Sequence, residues 1–486
     1  MVQRLEKRFT REAAMKMSRR KFMKTVGLGA AGLAVVPGLA ENIFAQMPGR
    51  RTLRILQWSH FVPRYDRWFN PYAKQWGEEH NVDVIVDHIS LSDIRSTFAA
   101  EVAAGRGHDL VEFIDPPSDF EPSVMDLTDL NQEAEKRFGK QLPVAMRSSY
   151  NPDTKKFYGF CHGWTIDPGD YRKSLWEKVG MPGGPKTWDD LLVYAARIKQ
   201  ELGVQNGIGL SQELDSNMAG RALLWSFDTG TQDMHENVVL DNKRTVDAVK
   251  YMKDLFDRTL TPEVFAWIPA SNNQALIAGR ASYILNSISA YRSAQHDVPE
   301  IAKDVYFTPA LKGPGGSGWA SEHVIYISVI PRFAEKNADL ARQFLLDLVS
   351  NYDRAMWESE LYASPSFFNA PIRSGERGYP AVKGAKTMRD VFRAWFADDP
   401  YALPGEAKGK LVPLADAETW SANVGHPGPA NPAEGEIFGT FVIPIMFARV
   451  AQGRMTPEES VKQAAAECRK IFEKWRAQGL IRKKAA

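Results

Sequence analysis

The sequence predicts an α/β protein built on a largely parallel sheet and divided into more than one domain. Three observations predict it. Strand-like and helix-like patterns alternate from residue 53 to residue 114. A second alternation runs from Thr187 to Leu285. The chain behind its N-terminal leader, about 440 residues, is too long for one compact core, so two or three domains are expected.

Each element has a local reason. Leu53 to Trp58 reads as a strand, and Arg64 to His80, with aromatics at helical spacing, as a helix. Val82 to Val86 is a strand. Ser92 to Ala104 is a helix with Ile94, Phe98 and Val102 on one face, and Asp109 to Ile114 is a strand. In such sheets ligands bind beyond the carboxyl ends of the strands. Those ends carry Trp58-Ser59-His60-Phe61 and Phe113-Ile114-Asp115. Thr187 can cap a helix from Trp188 to Leu202. A short strand at Gly207 to Leu210, a helix at Thr245 to Leu260, a short helix at Asn273 to Ala278 and a strand at Ser282 to Leu285 follow. Val324 to Val329 reads as a buried strand and Asn337 to Val349 as an amphipathic helix. The last quarter is mostly helical, interrupted at Gly425–Pro432.

Residues 1–40 read as a leader for export. Ser18-Arg19-Arg20-Lys21-Phe22-Met23-Lys24 has the twin-arginine pattern, an address read by a receptor. Thr25 to Ala40 is uncharged, and Gly38 and Ala40 suit a signal peptidase; Ala45 is a weaker cleavage candidate. The apolar run is shorter than the roughly 20 residues a membrane-spanning helix needs. Gly27-Leu28-Gly29-Ala30-Ala31-Gly32 spells a dinucleotide-binding pattern and Ser18 to Lys21 an acylase S-x-x-K. Neither has the required structural context in a segment that is cut away. No cysteine stands near the cleavage region, so a protein free in a periplasm-like space, without a lipid anchor, is expected.

The leader holds nine Lys/Arg and two Asp/Glu. The whole chain carries +2, so residues 41–486 carry −5, which argues against nucleic acid as a partner. Two cysteines, Cys161 and Cys468, could pair but make no disulfide framework. No H-E-x-x-H, C-x-x-C, P-loop or G-x-S-x-G pattern follows the leader, and no Asp-rich loop points to calcium. No catalytic residue, metal or cofactor is therefore expected. Asp189-Asp190 sits at a helix N-terminus, where the dipole explains it, and His235-Glu236 lacks a second His.

Seven short motifs then fall in a recognisable order. They are Gly107-His108-Asp109-Leu110; Phe157-Tyr158-Gly159-Phe160; Pro185-Lys186-Thr187-Trp188-Asp189-Asp190-Leu191; Ala275 to Ser282 with its Gly279-Arg280-Ala281; Pro309 to Gly316; Pro371-Ile372-Arg373; and Ala451 to Glu459. Their order resembles the family 1 extracellular solute-binding proteins of ABC importers, the maltose-binding-protein group, through almost the whole chain after the leader. Cys161-His162 stands where that family has a proline, and Asn286-Ser287 where it has Gly-x-Trp. Both lie near the expected cleft, so the family's commonest ligands do not simply carry over.

The resemblance implies a two-lobed periplasmic-binding-protein fold of type II-like design, with discontinuous lobes, a hinge and a helical C-terminal portion. The lobes would be residues 50–165 plus 307–349 and residues 166–306 plus 350–486. It also implies a ligand held between lobes that close on it, a monomer, and delivery to ABC permease subunits after passage through the twin-arginine export machinery. A sugar or polyol is the expected solute. Its C–H faces stack on aromatic rings and its hydroxyls seek planar polar partners.

Position then selects candidate ligand-binding residues. Trp58 and His60 follow the first strand, and Phe113 and Asp115 the third. Trp164 and Asp167 lie at the first crossing between lobes, and Trp225 after a helix beginning near Ser216. Asn286 and Ser287 end a second-lobe strand. Trp319 and Glu322 follow the Gly-rich turn 313–318, and Asn369 and Arg373 flank Pro371. For each, packing at a sheet end or hinge is the alternative; for Arg373 it is a tie between two loops. Two other functions stay open: a secreted carbohydrate-active enzyme, which needs two facing carboxylates, and a ligand receptor for a sensor or chemotaxis partner.

Overall fold

Arg51–Trp58 (β1) lies parallel to Val82–Ile89 (β2), with Arg51 opposite Val82 and Trp58 opposite Ile89. The computed structural model describes residues 50–373, 375 and 379–483. The leader, its twin-arginine motif and the cleavage candidates lie outside the described residues. Between the two strands runs α1 (Pro63–His80), with Pro63 at its first position and a left-handed Asn81 (φ 56°) ending it. Tyr65, Phe69, Ala73 and Trp76, three or four residues apart, form its buried face. Helix α2 (Ile94–Ala104) ends on Gly105 (φ 65°), a conformation that costs glycine nothing. It leads to Leu110–Phe113 (β3), which pairs parallel with β1.

The sheet then turns mixed. Phe160–Trp164 (β4), Ile325–Val329 (β8) and Ser364–Pro365 (β9) join antiparallel to their neighbours, in the order β9-β4-β8-β3-β1-β2. A second, three-stranded antiparallel sheet holds Gly169–Arg172 (β5) between Tyr283–Leu285 (β6) and Val305–Thr308 (β7). The expected strand at Gly207 to Leu210 does not form; only a single bridge joins Gln205 to Ala281. The backbone donors there diverge: Asn206 bonds to Thr259, Gly207 to Tyr283 and Leu210 to Val264, so no ladder can propagate.

Helices cover the second sheet. α3 (Trp188–Leu202) starts with a capping box between Thr187 and Asp190. α4 (Leu214–Ser226) is capped by Glu213, whose carboxylate accepts the backbone N–H groups of Asp215 and Ser216. α5 (Lys243–Thr259), α6 (Ser271–Ile277) and α7 (Ser289–Asp297) follow. Further along come α8 (Ala338–Ser350), α9 (Met388–Ala397), α10 (Pro432–Gly439), α11 (Val442–Ala451) and α12 (Pro457–Ala477). Among the described residues no helix is long and apolar enough to cross a membrane.

Two hydrophobic cores result. One gathers Leu53, Ile55, Val111, Phe160 and Ile327 around the six-stranded sheet. The other gathers Leu191, Leu223, Leu255, Ile443 and Phe472 beneath α3, α4, α5, α11 and α12. Leu214, Ile284 and Tyr291 from the second sheet's side join the first core, so the two sheets are packed together. Cys161 belongs to the first core and Cys468 to the second; both are free thiols, which settles their pairing.

Candidate binding site between the two sheets

The chain passes from the first sheet to the second through residues 165–168 and returns through residues 309–324. The two crossings are laced together: Thr165 N donates to Val324 O (2.7 Å) and His323 N to Thr165 O (3.0 Å). The side chains continue the lacing. His323 Nδ1 is 3.0 Å from Asp167 Oδ1 and 4.0 Å from Asp215 Oδ1, with all three groups buried.

The first sheet contributes an aromatic wall. β1 ends at Trp58, whose ring stacks on His60 at 4.7 Å. His60 Nδ1 accepts from Val62 N (2.9 Å), leaving Nε2 to donate to the Tyr326 hydroxyl (3.2 Å). Burial holds the His60 pKa down at about 3, so the ring is neutral and this tautomer is fixed by its partners. Tyr362 packs edge-on to His60 at 4.9 Å and to His323 at 6.3 Å. Its hydroxyl lies beside Ser287 and Thr165 but short of hydrogen-bond geometry with either. The Trp164 indole N–H also lacks a partner among the described residues.

The second sheet contributes amides, hydroxyls and carboxylates. Asn286, just past β6, donates to Asn272 Oδ1 (2.9 Å) and to Asn273. Asn273 donates to Ser289 Oγ (2.9 Å), and Ser287 Oγ lies 3.0 Å from the same atom. Asp215 stands in the first turn of α4; burial, with Glu213 and Asp167 nearby, pushes its carboxyl well above the usual range. Further along the second crossing, Glu322 Oε1 accepts from Val424 N (3.0 Å) and Ser148 Oγ (3.4 Å), while burial raises its pKa to about 8. Past it lies a second aromatic group: His426 packs on Trp319 at 4.5 Å and on Trp225 at 5.5 Å.

A polar and aromatic group drawn from two sheets at their crossings suits recognition of a small polar molecule. A family model for bacterial extracellular solute-binding proteins matches residues 63–351. The chain belongs to that family. A binding protein of Brucella abortus (strain 2308) is 26% identical over 208 residues, 42% of this chain and 48% of that protein. An ABC transporter-binding protein of Deinococcus radiodurans is 24% identical over 194 residues, 37% and 45% of the two chains. The chain thus spans about half the length of the curated relatives it matches. A maltose-bound MalE3 of T. maritima superposes with TM-score 0.67 at 20% identity, covering 86% of this chain and 99% of the other. A ribitol-bound ABC transporter solute-binding protein of Agrobacterium radiobacter K84 gives 0.66 at 18%, covering 87% and 99%. The fold is therefore the two-lobed periplasmic-binding-protein fold.

In this solute-binding protein the expected residues divide. Trp58, His60, Trp164, Asp167, Asn286 and Ser287 converge on the crossings, and Trp225, Trp319 and Glu322 stand around or lead to the second aromatic group. Trp225 lies in the last turn of α4, not beyond the helix as expected, because the helix runs on to Ser226. The other four engage elsewhere. Phe113 is fully buried against Phe98 (5.3 Å) and Phe120. Asp115 is held by Arg95 Nε at 2.7 Å. Asn369 is exposed and lies over Gly139. Arg373 donates to Ser350 O (2.9 Å), and its backbone N–H donates to Asp353, so it ties a loop to α8.

Tyr326, Tyr362, His323, Asp215, Asn272 and Asn273 were not legible as candidates. Asp215 had one available signal: a polar run, Gln212-Glu213-Leu214-Asp215-Ser216-Asn217, opening a helix. Tyr362 had none, since its loop reaches the site only through tertiary packing.

Proposed function

We propose that this chain is the solute receptor of an ABC importer and binds a sugar, oligosaccharide or polyol between its lobes. The observation that carries the reading is that Tyr362, packed on His60 beside Trp58, lies next to Ser287 and Asp215 at the hydrogen-bonded crossings. Such a ligand touches both lobes only when they are closed, so binding and closure are one equilibrium. The named ligands of similar structures, maltose, laminaribiose and ribitol among them, support a polyhydroxylated solute. The twin-arginine leader supports work in the periplasm; there the protein acts as a monomer that hands its ligand, chemically unaltered, to a membrane permease.

The test is thermal melting against sugars, polyols, oligosaccharides and amino acids, with small-angle scattering of any complex found. A ligand at a thousand times its dissociation constant adds about 4 kcal/mol of stability. A carbohydrate that raises the melting temperature, compacts the protein and is recovered intact is the expected result. A shift from amino acids alone, or a consumed sugar, would overturn it.

A further inference from the structure

Three buried carboxylates elsewhere in this protein are paired with guanidinium groups. Glu434 meets Arg221 at 2.9 Å, Asp115 meets Arg95 at 2.7 Å and Asp399 meets Arg292 at 2.7 Å. At the crossings it does not. Asp167, Asp170, Asp215 and Glu213 are all at most 7% exposed. Among the described residues, no lysine or arginine bonds to any of them, and His323 is the one basic group in contact. Glu213 is offset by the helix N-terminus it caps. Asp167 has His323. Asp215 lies at the edge of that contact, and both Asp170 oxygens lack a partner. Buried charge of one sign is costly unless it is neutralised or paired.

Independent features at the same place point to a ligand. The Tyr362 hydroxyl comes from the loop before β9, is 1% exposed and stops short of hydrogen-bond geometry. The His323 Nε2 atom, also 1% exposed, has no partner. Tyr362, which packs on His60, presents its π-system near Asp215 and Asp167, and aromatic rings attract organic cations. Among the described residues no three His, Cys, Asp or Glu side chains are grouped to hold a metal ion. A hard cation takes six or more oxygens, and aromatic rings supply none.

Resting on the reading of a polyhydroxylated ligand, we propose that this ligand also carries an ammonium group: it is an amino sugar or amino polyol, with its cation received by Asp167 and Asp215. The hydroxyls meet Asn286, Ser287 and Tyr362, and the carboxylates distinguish the amine from its neutral relatives.

The experiment is calorimetric titration of the purified protein with matched sets: glucosamine, galactosamine and mannosamine, each against its hydroxy parent and its N-acetyl form. Acetylation removes the charge and keeps the ring. At least one amine is expected to bind about tenfold or more tighter than both neutral partners, the scale of one charged hydrogen bond. Asp215→Asn is expected to bring that amine to the level of its parent while the variant still melts cooperatively. Equal or tighter binding of a neutral form, or an amine preference unchanged in Asp215→Asn, would overturn the ammonium site and leave carbohydrate binding standing. Binding of no sugar in any set, or by the wider panel above, would overturn both.

Discussion

Asp167 and His323 sit on opposite crossings between the two sheets and meet at 3.0 Å through Oδ1 and Nδ1. The pair is 2% and 1% exposed, so neither group can replace its partner with bulk water.

His323→Ala is expected to destabilise the protein by about 2–4 kcal/mol, from a lost buried hydrogen bond and the space left behind. Part of that cost belongs to the unpaired Asp167 carboxylate. In the double variant with Asp167→Asn the two effects should therefore fall short of additivity by about 1 kcal/mol or more. Urea unfolding of the four proteins measures it; strict additivity would show that the contact carries no energy.

Tyr362→Phe removes a buried hydroxyl that makes no hydrogen bond. Stability should stay within about 0.5 kcal/mol of the parent or rise, since no partner is left unpaired. Ligand affinity should fall about tenfold. A large loss of stability with unchanged affinity would assign Tyr362 to the core alone.

Arg221 and Glu434 form an ion pair 1% and 0% exposed. Arg221→Met leaves the carboxylate buried without its cation and should cost about 3–5 kcal/mol. The Arg221→Met, Glu434→Gln double variant should recover much of that loss, as read from the denaturation midpoint.

Glu322 gives a pH signature. Its folded-state pKa of about 8 lies above the ordinary 4.5, so its proton is retained on folding. The stability this allows is fully present below pH 4.5 and is lost as the pH rises toward 8, by up to about 1.4 kcal/mol per pH unit. Glu322→Gln cannot ionise. Its stability relative to the parent should grow steadily from pH 5 to pH 8, and parallel curves would remove Glu322 from the account.

Much of the architecture is legible in local pattern. The face formed by Tyr65, Phe69, Ala73 and Trp76 follows helical spacing, and Thr187 with Asp190 spells its own cap. The stretch at Gly207 to Leu210 reads like a strand because the pattern shows apolar residues and not where their N–H groups go. The strand-end logic that named Trp58 and Asn286 as candidates, both beside the crossings, fails for Phe113. A strand end marks proximity to the cleft, and side-chain direction is set by packing against Phe98 and Phe120.

By itself the sequence determined the order of most strands and helices and the family, because short-range periodicity, caps and ordered motifs encode them. Tertiary structure alone decided that His323 would stand between Asp167 and Asp215, that Tyr362 would reach Ser287 and Thr165, and that Arg373 would tie a loop to α8. Those are contacts between residues tens to hundreds of positions apart. Their geometry depends on how two sheets pack, which no local pattern records.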